Sequence, residues 1–381
     1  MIKLRKKHLL RFNLKKIKDK KVVVRVDYNI DYKNGKISDK FRLTSTRETL
    51  EKLKIAKSVI LISHFGDPQG FDSFYSFKNV LPQLEKILKL KINFLEDFSS
   101  KPLGKFNLLE NIRFFRGEKE KDINLAYKIK DLGEIYINEA FSVSHRDHTS
   151  ITLVPKLMTT FYGLRFEKEI KMLNEFLKLK NLTLILGGAK ISTKLPLIKK
   201  FLKKAKLIIL GGGLANTFLK AKGFNVGQSL VEDEILDEIK KIDSKNILTP
   251  IDFFTDKGYR KLNEIKNDDK ILDVGFESLK IFLKEISKNK NIIWNGPLGY
   301  IEEKKYINGT YELAKNLIKF KNKKILIGGG DTISFLEEKK LLKKFKFIST
   351  GGGAMLYYLA EETLPCFKNE WNKNFYWWRS Y

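Results

Sequence analysis

The sequence predicts an α/β fold in which parallel β-sheets are flanked by helices. Short runs of Val, Ile and Leu alternate along the chain with longer segments of helical periodicity, the pattern typical of βαβ units. Uniformly apolar strands of this kind are expected in a parallel sheet that is covered on both faces. The chain has 381 residues, 43% of them hydrophobic, which favours two domains over one.

Ten segments are predicted as strands and five as helices. The strands of the first half are Val22–Val26, Val59–Ile62, Ile92–Leu95, Phe106–Leu109 and Ile135–Ile137. Those of the second half are Leu182–Leu186, Leu207–Leu210, Ile292–Trp294, Ile325–Ile327 and Phe345–Ile348. The amphipathic helices are Phe77–Leu90, Ile170–Leu179, Ile235–Ile242, Leu279–Ile286 and Tyr311–Phe320. The Glu/Lys/Leu pattern of Phe166–Lys180 indicates that one helix links the two halves.

The charge of the chain points to an anionic partner. There are 74 Lys and Arg against 45 Asp and Glu, a net charge of +29. Nucleic acid, an anionic membrane and a phosphorylated small molecule all fit this composition, but the lysines form no single basic stripe, which disfavours nucleic acid. Many of the excess lysines are equally expected at solvated surface positions, where they would bind no ligand.

Compartment and membrane association can also be predicted from the sequence. No apolar run approaches the roughly 20 residues of a membrane helix, and Met1–Lys7 lacks the hydrophobic stretch of a secretory signal. No acidic residue precedes Asp19, so a targeting segment remains an alternative. A single cysteine, Cys366, excludes an intramolecular disulfide. We therefore expect a soluble, cytoplasmic protein.

The residues that follow the predicted strands differ between the two halves. Ligands of open α/β sheets bind beyond the carboxyl ends of the strands, so these residues predict the sites. The early strands are followed by Asp27 and Asn29, Ser63 and His64, Glu110–Arg113, and Asn138 leading to His145 and Arg146. The later strands are followed by Gly187–Gly188, Gly211–Gly213, Gly328–Gly330 and Gly351–Gly353. The first half therefore predicts a pocket lined by side chains, and the second predicts backbone cradles for phosphate.

Two glycine segments carry the phosphate hypothesis. Gly328–Thr332 follows a strand, opens a helix and adds Asp331, a carboxylate able to reach a phosphate-bound Mg²⁺; the alternative is a helix cap. Gly187–Lys194 places glycines before a helix, with Lys190 and Lys194 expected on one helix face, where an anion or solvent would separate their charges. Neither segment completes a P-loop or a dinucleotide fingerprint.

The polar residues of the first half have simpler interpretations beside the functional one. Asp27 and Asn29 fit a turn, His64 fits a helix cap, and Arg42, Arg113 and Arg146 fit surface cations. Guanidinium groups near strand ends equally suit a carboxylate or phosphate pocket.

Two further motifs are incomplete. His145-Arg146-Asp147 matches the start of a protein-kinase catalytic loop, but Thr152 stands where that loop has asparagine and no D-F-G follows. His145 and His148 have metal-ligand spacing but no other ligands nearby in the sequence.

Together these segments resemble the phosphoglycerate kinase family, from about Leu14 to Pro365. The matching strings are RVDYN (Arg25–Asn29), SHFG (Ser63–Gly66), LLENIRF (Leu108–Phe114), NEAF (Asn138–Phe141) with His145-Arg146, GGAK (Gly187–Lys190), WNGPLG (Trp294–Gly299), GGGDT (Gly328–Thr332) and STGGGA (Ser349–Ala354). Their joint order and spacing make the resemblance highly specific.

The resemblance implies two Rossmann-like domains joined by an interdomain helix, and reversible phosphoryl transfer between ATP and the carboxylate of 3-phosphoglycerate, with Mg²⁺. The implied boundaries are 1–165 for the 3-phosphoglycerate domain, 166–180 for the helix, 181–362 for the nucleotide domain and 363–381 for a tail that packs back on the protein. A monomer is expected, with no specific nucleic-acid or membrane partner.

The resemblance also implies roles for individual residues. The substrate-binding residues are Asp27, Asn29, Arg42, His64, Arg113 and Arg146. The nucleotide-binding residues are Lys194, Gly275, Glu302 on the ribose, Gly329, Gly330, Asp331 near the metal, and Thr332; Lys190 also lies on the nucleotide side. Charge on the transferring group would be neutralised by Arg42, Lys190, Lys194 and the helix N-terminus at Gly351, Gly352 and Gly353. A carboxylate nucleophile is ionised at neutral pH, so no general base is needed and His64 is expected to position the substrate.

The chain departs from the family pattern at several positions. Asp67 stands where the family has an arginine that helps to hold the substrate phosphate, which predicts weakened 3-phosphoglycerate binding, offset by a neighbour such as Arg47. The alternative function is therefore a nucleotide-binding relative with impaired transfer. Glu139, Phe276 and Cys366 replace a usual aspartate, proline and glycine, and the tail Phe367–Tyr381, with Trp371, Trp377 and Trp378, does not match the family.

Overall fold

The computed structural model describes residues 12–38, 40–243 and 245–367, which form two compact units. One unit comprises the described residues up to Met172 together with those from Glu361 onward, and the other is Leu173–Ala360. Each unit contains a six-stranded parallel sheet.

The first unit alternates strands and helices from its start. Its strands are β1 (Lys21–Arg25), β2 (Tyr32–Lys33), β3 (Lys36–Ile37), β4 (Ser58–Ile62), β5 (Asn93–Leu95), β6 (Phe106–Leu109), β7 (Ile135–Asn138) and β8 (Thr159–Tyr162). Its helices are α1 (Leu14–Ile17), α2 (Phe41–Ser45), α3 (Arg47–Lys52), α4 (Phe77–Leu88), α5 (Ile123–Asp131) and α6 (Val154–Leu157), and α7 (Leu164–Leu177) runs across the boundary to the second unit.

The sheet of the first unit has the strand order β5-β6-β4-β1-β7-β8, and all its pairs are parallel. Side chains of β1 alternate between two hydrophobic cores: Val22 and Val24 pack on one face and Val23 on the other. In the register, Arg25 lies beside Ile62 of β4 and Asn138 of β7. The carboxyl ends of these three strands therefore lie together at one edge of the sheet.

The second unit repeats this arrangement and adds a small antiparallel sheet. Its strands are β9 (Leu182–Leu186), β10 (Ala205–Leu210), β11 (Ile247–Leu248), β12 (Asp252–Thr255), β13 (Gly258–Lys261), β14 (Ile271–Val274), β15 (Asn291–Asn295), β16 (Lys324–Gly328) and β17 (Phe347–Ile348). Its helices are α8 (Leu195–Phe201), α9 (Gly212–Ala221), α10 (Leu236–Lys240), α11 (Phe276–Ser287), α12 (Asn308–Lys319), α13 (Gly330–Glu338) and α14 (Gly352–Glu361). The parallel order is β11-β10-β9-β15-β16-β17, and β13-β12-β14 form the antiparallel sheet.

All ten predicted strands and all five predicted helices are present, with ends that differ by a few residues. The parallel α/β class is confirmed. The segment Phe166–Lys180, predicted to link the two halves, corresponds in position to helix α7, which begins two residues before Phe166. Its first turn is capped by the buried Glu139, whose carboxylate accepts hydrogen bonds from the backbone N–H groups of Arg165 and Phe166, both at 3.2 Å.

Several elements were not predicted, and their burial explains why. Helix α9 is buried on nearly all sides, so it shows no amphipathic stripe. The antiparallel sheet was missed because the exposed strand β13 is polar throughout. Helix α5 was missed although Asp122 caps it by accepting a hydrogen bond from the N–H of Leu125 at 2.7 Å, which is a recognisable sequence signal.

The predicted docking of the tail 363–381 falls mostly on residues outside the described part of the chain, including Trp371, Trp377 and Trp378. Of the described tail residues, Phe367 packs edge-on against Tyr162, with ring centroids 5.4 Å apart. Along the described ranges, no helix combines the length and the apolar character needed to cross a membrane.

Candidate active site

The first cluster of candidate residues lies at the carboxyl edge of the first unit's sheet. Asp27 follows β1, His64 follows β4, and Arg113 lies in the turn after β6. All three side chains are buried, at 6%, 2% and 8% exposure. Since β6, β4 and β1 are consecutive neighbours in the sheet, the fold brings together residues that are far apart in sequence.

Asp27 fixes the turn that leads from β1 into this cluster. Its Oδ1 accepts the backbone N–H of Asn29 at 3.1 Å, and its Oδ2 accepts the hydroxyl of Ser142. Arg42 Nη1 lies 3.5 Å from Oδ2 of Asp27 and donates to the carbonyl oxygen of Asn29 at 3.0 Å. Asn29 in turn accepts the N–H of Gly66 at 2.8 Å. The turn interpretation of Asp27 and Asn29 is therefore correct, and it is the turn that positions Arg42.

His64 is a neutral imidazole within a cluster of arginines. Burial lowers its pKa well below the usual value, and the charges of Arg25, Arg113, Arg146 and Arg42 lower it further. Nη2 of Arg25 lies 3.3 Å from Nδ1 of His64, and a guanidinium can only donate, so Nδ1 accepts and the ring proton is on Nε2. His64 therefore presents a hydrogen-bond donor to a ligand and is not poised to act as a base.

Sequence reasoning missed Arg25 as a site residue. It is 1% exposed, its Nε donates to Ser150 Oγ at 2.9 Å, and Glu118 lies 3.9 Å from its Nη2. A charged residue inside an otherwise apolar strand was the signal that could have identified it. From its place at the end of β1, Arg25 orients His64 through this contact with Nδ1.

Arg113 and Asp67 are paired. Nη1 of Arg113 lies 3.2 Å from Oδ1 of Asp67 and also donates to the carbonyl oxygen of Gly66. Lys119 Nζ contacts the same Asp67 oxygen at 2.5 Å. Arg47, the neighbour expected to offset Asp67, donates to the carbonyl oxygen of Ile87, and the charges that act on Asp67 are those of Arg113, Lys119 and Arg146.

The second cluster lies at the carboxyl edge of the second unit's parallel sheet. There the backbones after β9 and β15 cross in close contact: a Cβ on Gly187 would lie 1.9 Å from the carbonyl oxygen of Pro297. Gly329 has φ +104° and precedes helix α13, so it too tolerates no side chain without strain. The glycines are therefore required by the close approach of these loops, which exposes backbone and helix N-termini at this edge.

Lys190 and Lys194 do not share a helix face, and that prediction is wrong. Helix α8 begins at Leu195, and both lysines lie in the preceding turn, where the N–H of Lys194 bonds to the carbonyl of Ile191 at 2.8 Å. Lys190 is exposed, whereas Lys194 is buried with its Nζ near Gly188. Burial lowers the pKa of Lys194 to about 8, against the opposing charges of Asp331 and Glu232.

A cavity of about 220 Å³ opens beside these residues. It is lined by the start of α9, Phe253, Asp273, the loop 297–300, Glu302 and Asp331. Its lining is largely apolar, with a few carboxylates and an amide, which suits a nucleoside. Glu302 and Asp331 were both among the predicted nucleotide-binding residues, whereas Asp273, whose pKa burial raises to about 7, was not.

The glycine-rich segments Gly329–Thr332 and Gly351–Gly353 meet beside this cavity. A Cβ on Gly352 would lie 2.6 Å from Cα of Gly329, and helices α13 and α14 begin at Gly330 and Gly352. The buried Nδ2 of Asn295 lies next to both glycines and has no hydrogen-bond partner among the described residues. Two helix N-termini and an unused amide donor form a cradle suited to phosphate oxygens. Sequence reasoning missed Asn295, although it lies in the WNGPLG string.

The remaining candidates are Gly275 and the histidine pair His145 and His148. Gly275 caps helix α11, and a Cβ there would collide with the carboxylate of Asp252, so its glycine has a structural reason of its own. Its neighbour Val274 lines the cavity. In the described ranges, no group of three or more His, Cys, Asp or Glu residues is arranged to hold a metal, His145 and His148 included.

Comparison with known proteins agrees with this architecture. The family model described as phosphoglycerate kinase matches residues 13–362. The chain is 39% identical over 369 residues to a phosphoglycerate kinase of Wigglesworthia glossinidia brevipalpis, covering 92% of this chain and 93% of the relative. It is 36% identical over 387 residues to that of Dictyoglomus turgidum, covering 94% and 98%.

Solved structures give the same result. The phosphoglycerate kinase of Coxiella burnetii matches with a TM-score of 0.76 and 31% identity, covering 93% of this chain and 96% of that one. That of Pyrococcus horikoshii OT3 matches with a TM-score of 0.82 and 27% identity over the same shares. Family model, sequence relatives and fold agree over more than nine-tenths of the chain, so this protein belongs to the phosphoglycerate kinase family.

Proposed function

We propose that the side-chain-lined cluster of the first unit binds 3-phosphoglycerate and that the glycine-lined cluster of the second unit binds ATP or ADP. As a phosphoglycerate kinase, the protein is a phosphotransferase that moves a phosphoryl group reversibly between ATP and the carboxylate of 3-phosphoglycerate. The proposal assigns this reaction to particular residues. The observation that carries it is the buried, neutral His64 among four arginines, an environment built for a small anion.

In the first unit, Arg42, His64, Arg113 and Arg146 would bind the acid, with Asp27 and Asn29 holding the turn that positions Arg42. Because His64 is neutral and presents a hydrogen-bond donor among arginines, the cluster suits a ligand that is already ionised. The carboxylate of 3-phosphoglycerate needs no deprotonation, because its pKa lies near 4. The site therefore has to align this nucleophile and hold its negative charge.

In the second unit, the cavity would hold the nucleoside, with Glu302 accepting hydrogen bonds from the ribose hydroxyls. Lys194, the exposed Lys190 and the N-termini of α13 and α14 would bind the phosphates. Glycines 329, 330 and 351–353 would allow the phosphate oxygens to approach the backbone. Thr332, whose buried hydroxyl accepts the N–H of Gly296 at 3.0 Å, would hold the adjoining loop in place. Gly275 would contribute indirectly, as the N-cap residue of α11 next to Val274, which lines the cavity.

The transfer would be in line. A carboxylate oxygen of 3-phosphoglycerate forms a bond to the γ-phosphorus while the bond to the β-phosphate oxygen breaks, and ADP leaves. No proton is transferred, in keeping with the neutral His64. Arg42, Lys190, Lys194 and the α14 N-terminus would neutralise charge on the moving group. Since each ligand binds to its own unit, we propose hinge closure as the step that brings them into line and excludes water.

The proposed cofactor is Mg²⁺. Asp331 is an exposed carboxylate in the first turn of α13 that lines the cavity, and Mg²⁺ is usually held by one or two carboxylates together with nucleotide phosphates. The single carboxylate of Asp331, together with nucleotide phosphates, fits this way of holding Mg²⁺. When bound, the ion would neutralise phosphate charge and orient the transferring group.

We also propose that the protein acts as a cytoplasmic monomer. The single cysteine, Cys366, is buried and needs no oxidising compartment.

The proposed assignment is tested by a coupled assay of ATP-dependent acyl-phosphate formation from 3-phosphoglycerate. The wild type should turn over, whereas Lys194→Ala should lower kcat/KM by about a hundredfold or more, the usual size of a lost charge-stabilising donor. Lys206→Ala, an exposed lysine on β10, is the matched control. Binding of ATP with no transfer by the wild type would instead favour the impaired relative.

A further inference from the structure

The strongest unexplained feature of the substrate cluster is the position of Asp67. Its side chain is 66% exposed, yet it is held between Arg113 Nη1 at 3.2 Å and Lys119 Nζ at 2.5 Å. Its other charged neighbour is Arg146. A carboxylate with no role of its own would be expected to turn to solvent here. Instead it occupies the position at which two cations converge.

Lys119 is presented to this position by a rigid backbone. The preceding residue, Glu118, is 2% exposed and accepts hydrogen bonds from Ser150 through its N–H at 3.0 Å and its hydroxyl at 2.6 Å. The carbonyl oxygen of Glu118 accepts the N–H of Thr149 at 2.8 Å. The same Ser150 hydroxyl accepts from Arg25, which orients His64. Lys119 is therefore tied to the framework of the substrate cluster.

Arg113 has hydrogen-bonding capacity that the protein does not use. Its side chain is 4% exposed, and its Nε has no partner among the described residues. A buried guanidinium donor without a partner is costly unless a ligand completes it. Asp67 contacts only Nη1 of this guanidinium and leaves Nε without an acceptor.

We propose that Lys119 is a substrate-binding residue and that Asp67 is an internal counter-ion that the phosphate of 3-phosphoglycerate displaces. This inference rests on the proposed function of the cluster. Asp67 carries one negative charge, and a phosphate monoester carries close to two with three acceptor oxygens, so the phosphate bridges Arg113 and Lys119 more strongly than the carboxylate does. In the free protein, Asp67 keeps the two cations paired and in position. As a consequence, Asp67 competes with the substrate phosphate for Arg113 and Lys119.

The inference is tested by calorimetric binding of 3-phosphoglycerate to full-length variants. Lys119→Met should raise Kd about tenfold, the effect expected for a lost charge-assisted hydrogen bond. Lys128→Met, an exposed lysine on α5, removes the same charge and should leave Kd unchanged. Asp67→Asn should lower Kd about threefold or more because the competitor is weakened, and Lys119→Arg should restore most of the wild-type affinity. Melting temperatures of all variants confirm folding.

The double variant separates direct binding from simple neutralisation of Asp67. If Lys119 contacts the phosphate, Lys119→Met weakens binding in the Asp67→Asn background as well. If its effect disappears in that background, or equals that of Lys128→Met, the role of Lys119 is overturned. If Asp67→Asn does not tighten binding, the counter-ion role is overturned. A wild type that binds ADP but no 3-phosphoglycerate would refute the proposed substrate site itself, a result that none of the variant comparisons can mimic.

Discussion

Nη2 of Arg25 lies 3.3 Å from Nδ1 of His64, so a buried guanidinium fixes the tautomer of a buried imidazole. Arg25 lies on β1 and His64 follows the adjacent β4, and the parallel register of the two strands sets this contact. The arrangement makes His64 a donor through Nε2 at neutral pH. It also keeps the positive charge of the cluster on arginines, whose ionisation does not vary over the physiological range.

His64→Ala should therefore raise the KM for 3-phosphoglycerate about tenfold through loss of one donor to a charged ligand, with little change in the KM for ATP. Because burial and the arginines hold the pKa of His64 well below its usual value, its titration should not appear in the pH profile at the usual imidazole pKa of about 6.5. The measurement is kcat/KM against pH for both proteins. An acid limb near pH 6 that His64→Ala removes would contradict the assigned neutral state.

Lys194 should take up a proton when ADP binds. Burial lowers its pKa to about 8 in the free protein, so a large fraction is neutral at pH 8, and nucleotide phosphates would raise that pKa. Calorimetry of ADP binding in buffers of different ionisation enthalpy should show proton uptake near pH 8 and almost none at pH 6.5, where Lys194 is already charged. Lys194→Met should abolish the uptake and Lys206→Met should not. Equal uptake in both variants would place the titrating group elsewhere.

Glu302 should distinguish ribose from deoxyribose. It lines the cavity as an exposed carboxylate, which can accept hydrogen bonds from both ribose hydroxyls. We expect the wild type to prefer ATP over 2′-deoxy-ATP by about tenfold or more in kcat/KM, because one hydrogen bond to a charged group contributes roughly 1.5–3 kcal/mol. Glu302→Ala should remove the preference by weakening ATP alone. A preference that survives the substitution would show that another group reads the sugar.

Glu139 should make stability depend on pH. Burial raises its pKa to about 8, above the usual 4.5, against the opposing hydrogen bonds from Thr49, Phe166 and Arg165. A raised folded-state pKa contributes stability that is fully present below about pH 4.5 and is lost as the pH rises through about 8.

Glu139→Gln cannot lose a proton, so the wild type should lose roughly 2–4 kcal/mol of unfolding free energy relative to this variant between pH 5 and pH 9. The measurement is denaturant unfolding at both pH values. Glu48→Gln, an exposed change on the neighbouring helix α3, serves as the control and should run parallel to the wild type. A constant difference between wild type and Glu139→Gln would mean that Glu139 is ionised throughout.

Local sequence patterns were enough to predict the class of the fold, ten of the twelve strands of the two parallel sheets, and the side-chain and glycine character of the two clusters. These follow from local information: strand-length apolar runs such as Leu182–Leu186 can be buried only in a covered sheet, and residues after strands lie at one edge. The family strings added the expected roles. Asp27, His64 and Arg113 were accordingly placed together before any contact was known.

Which polar groups face one another follows from long-range packing. Asp67 pairs with Lys119, and Arg25 supports His64, across separate strands or loops. The unused amide of Asn295 likewise lies beside glycines of two other loops. Packing also leaves Lys190 exposed and Lys194 buried in the turn before α8, whereas the sequence predicted both on one helix face. Contacts and burial of this kind depend on strand order and loop paths, and therefore on long-range packing that no local pattern of residues encodes.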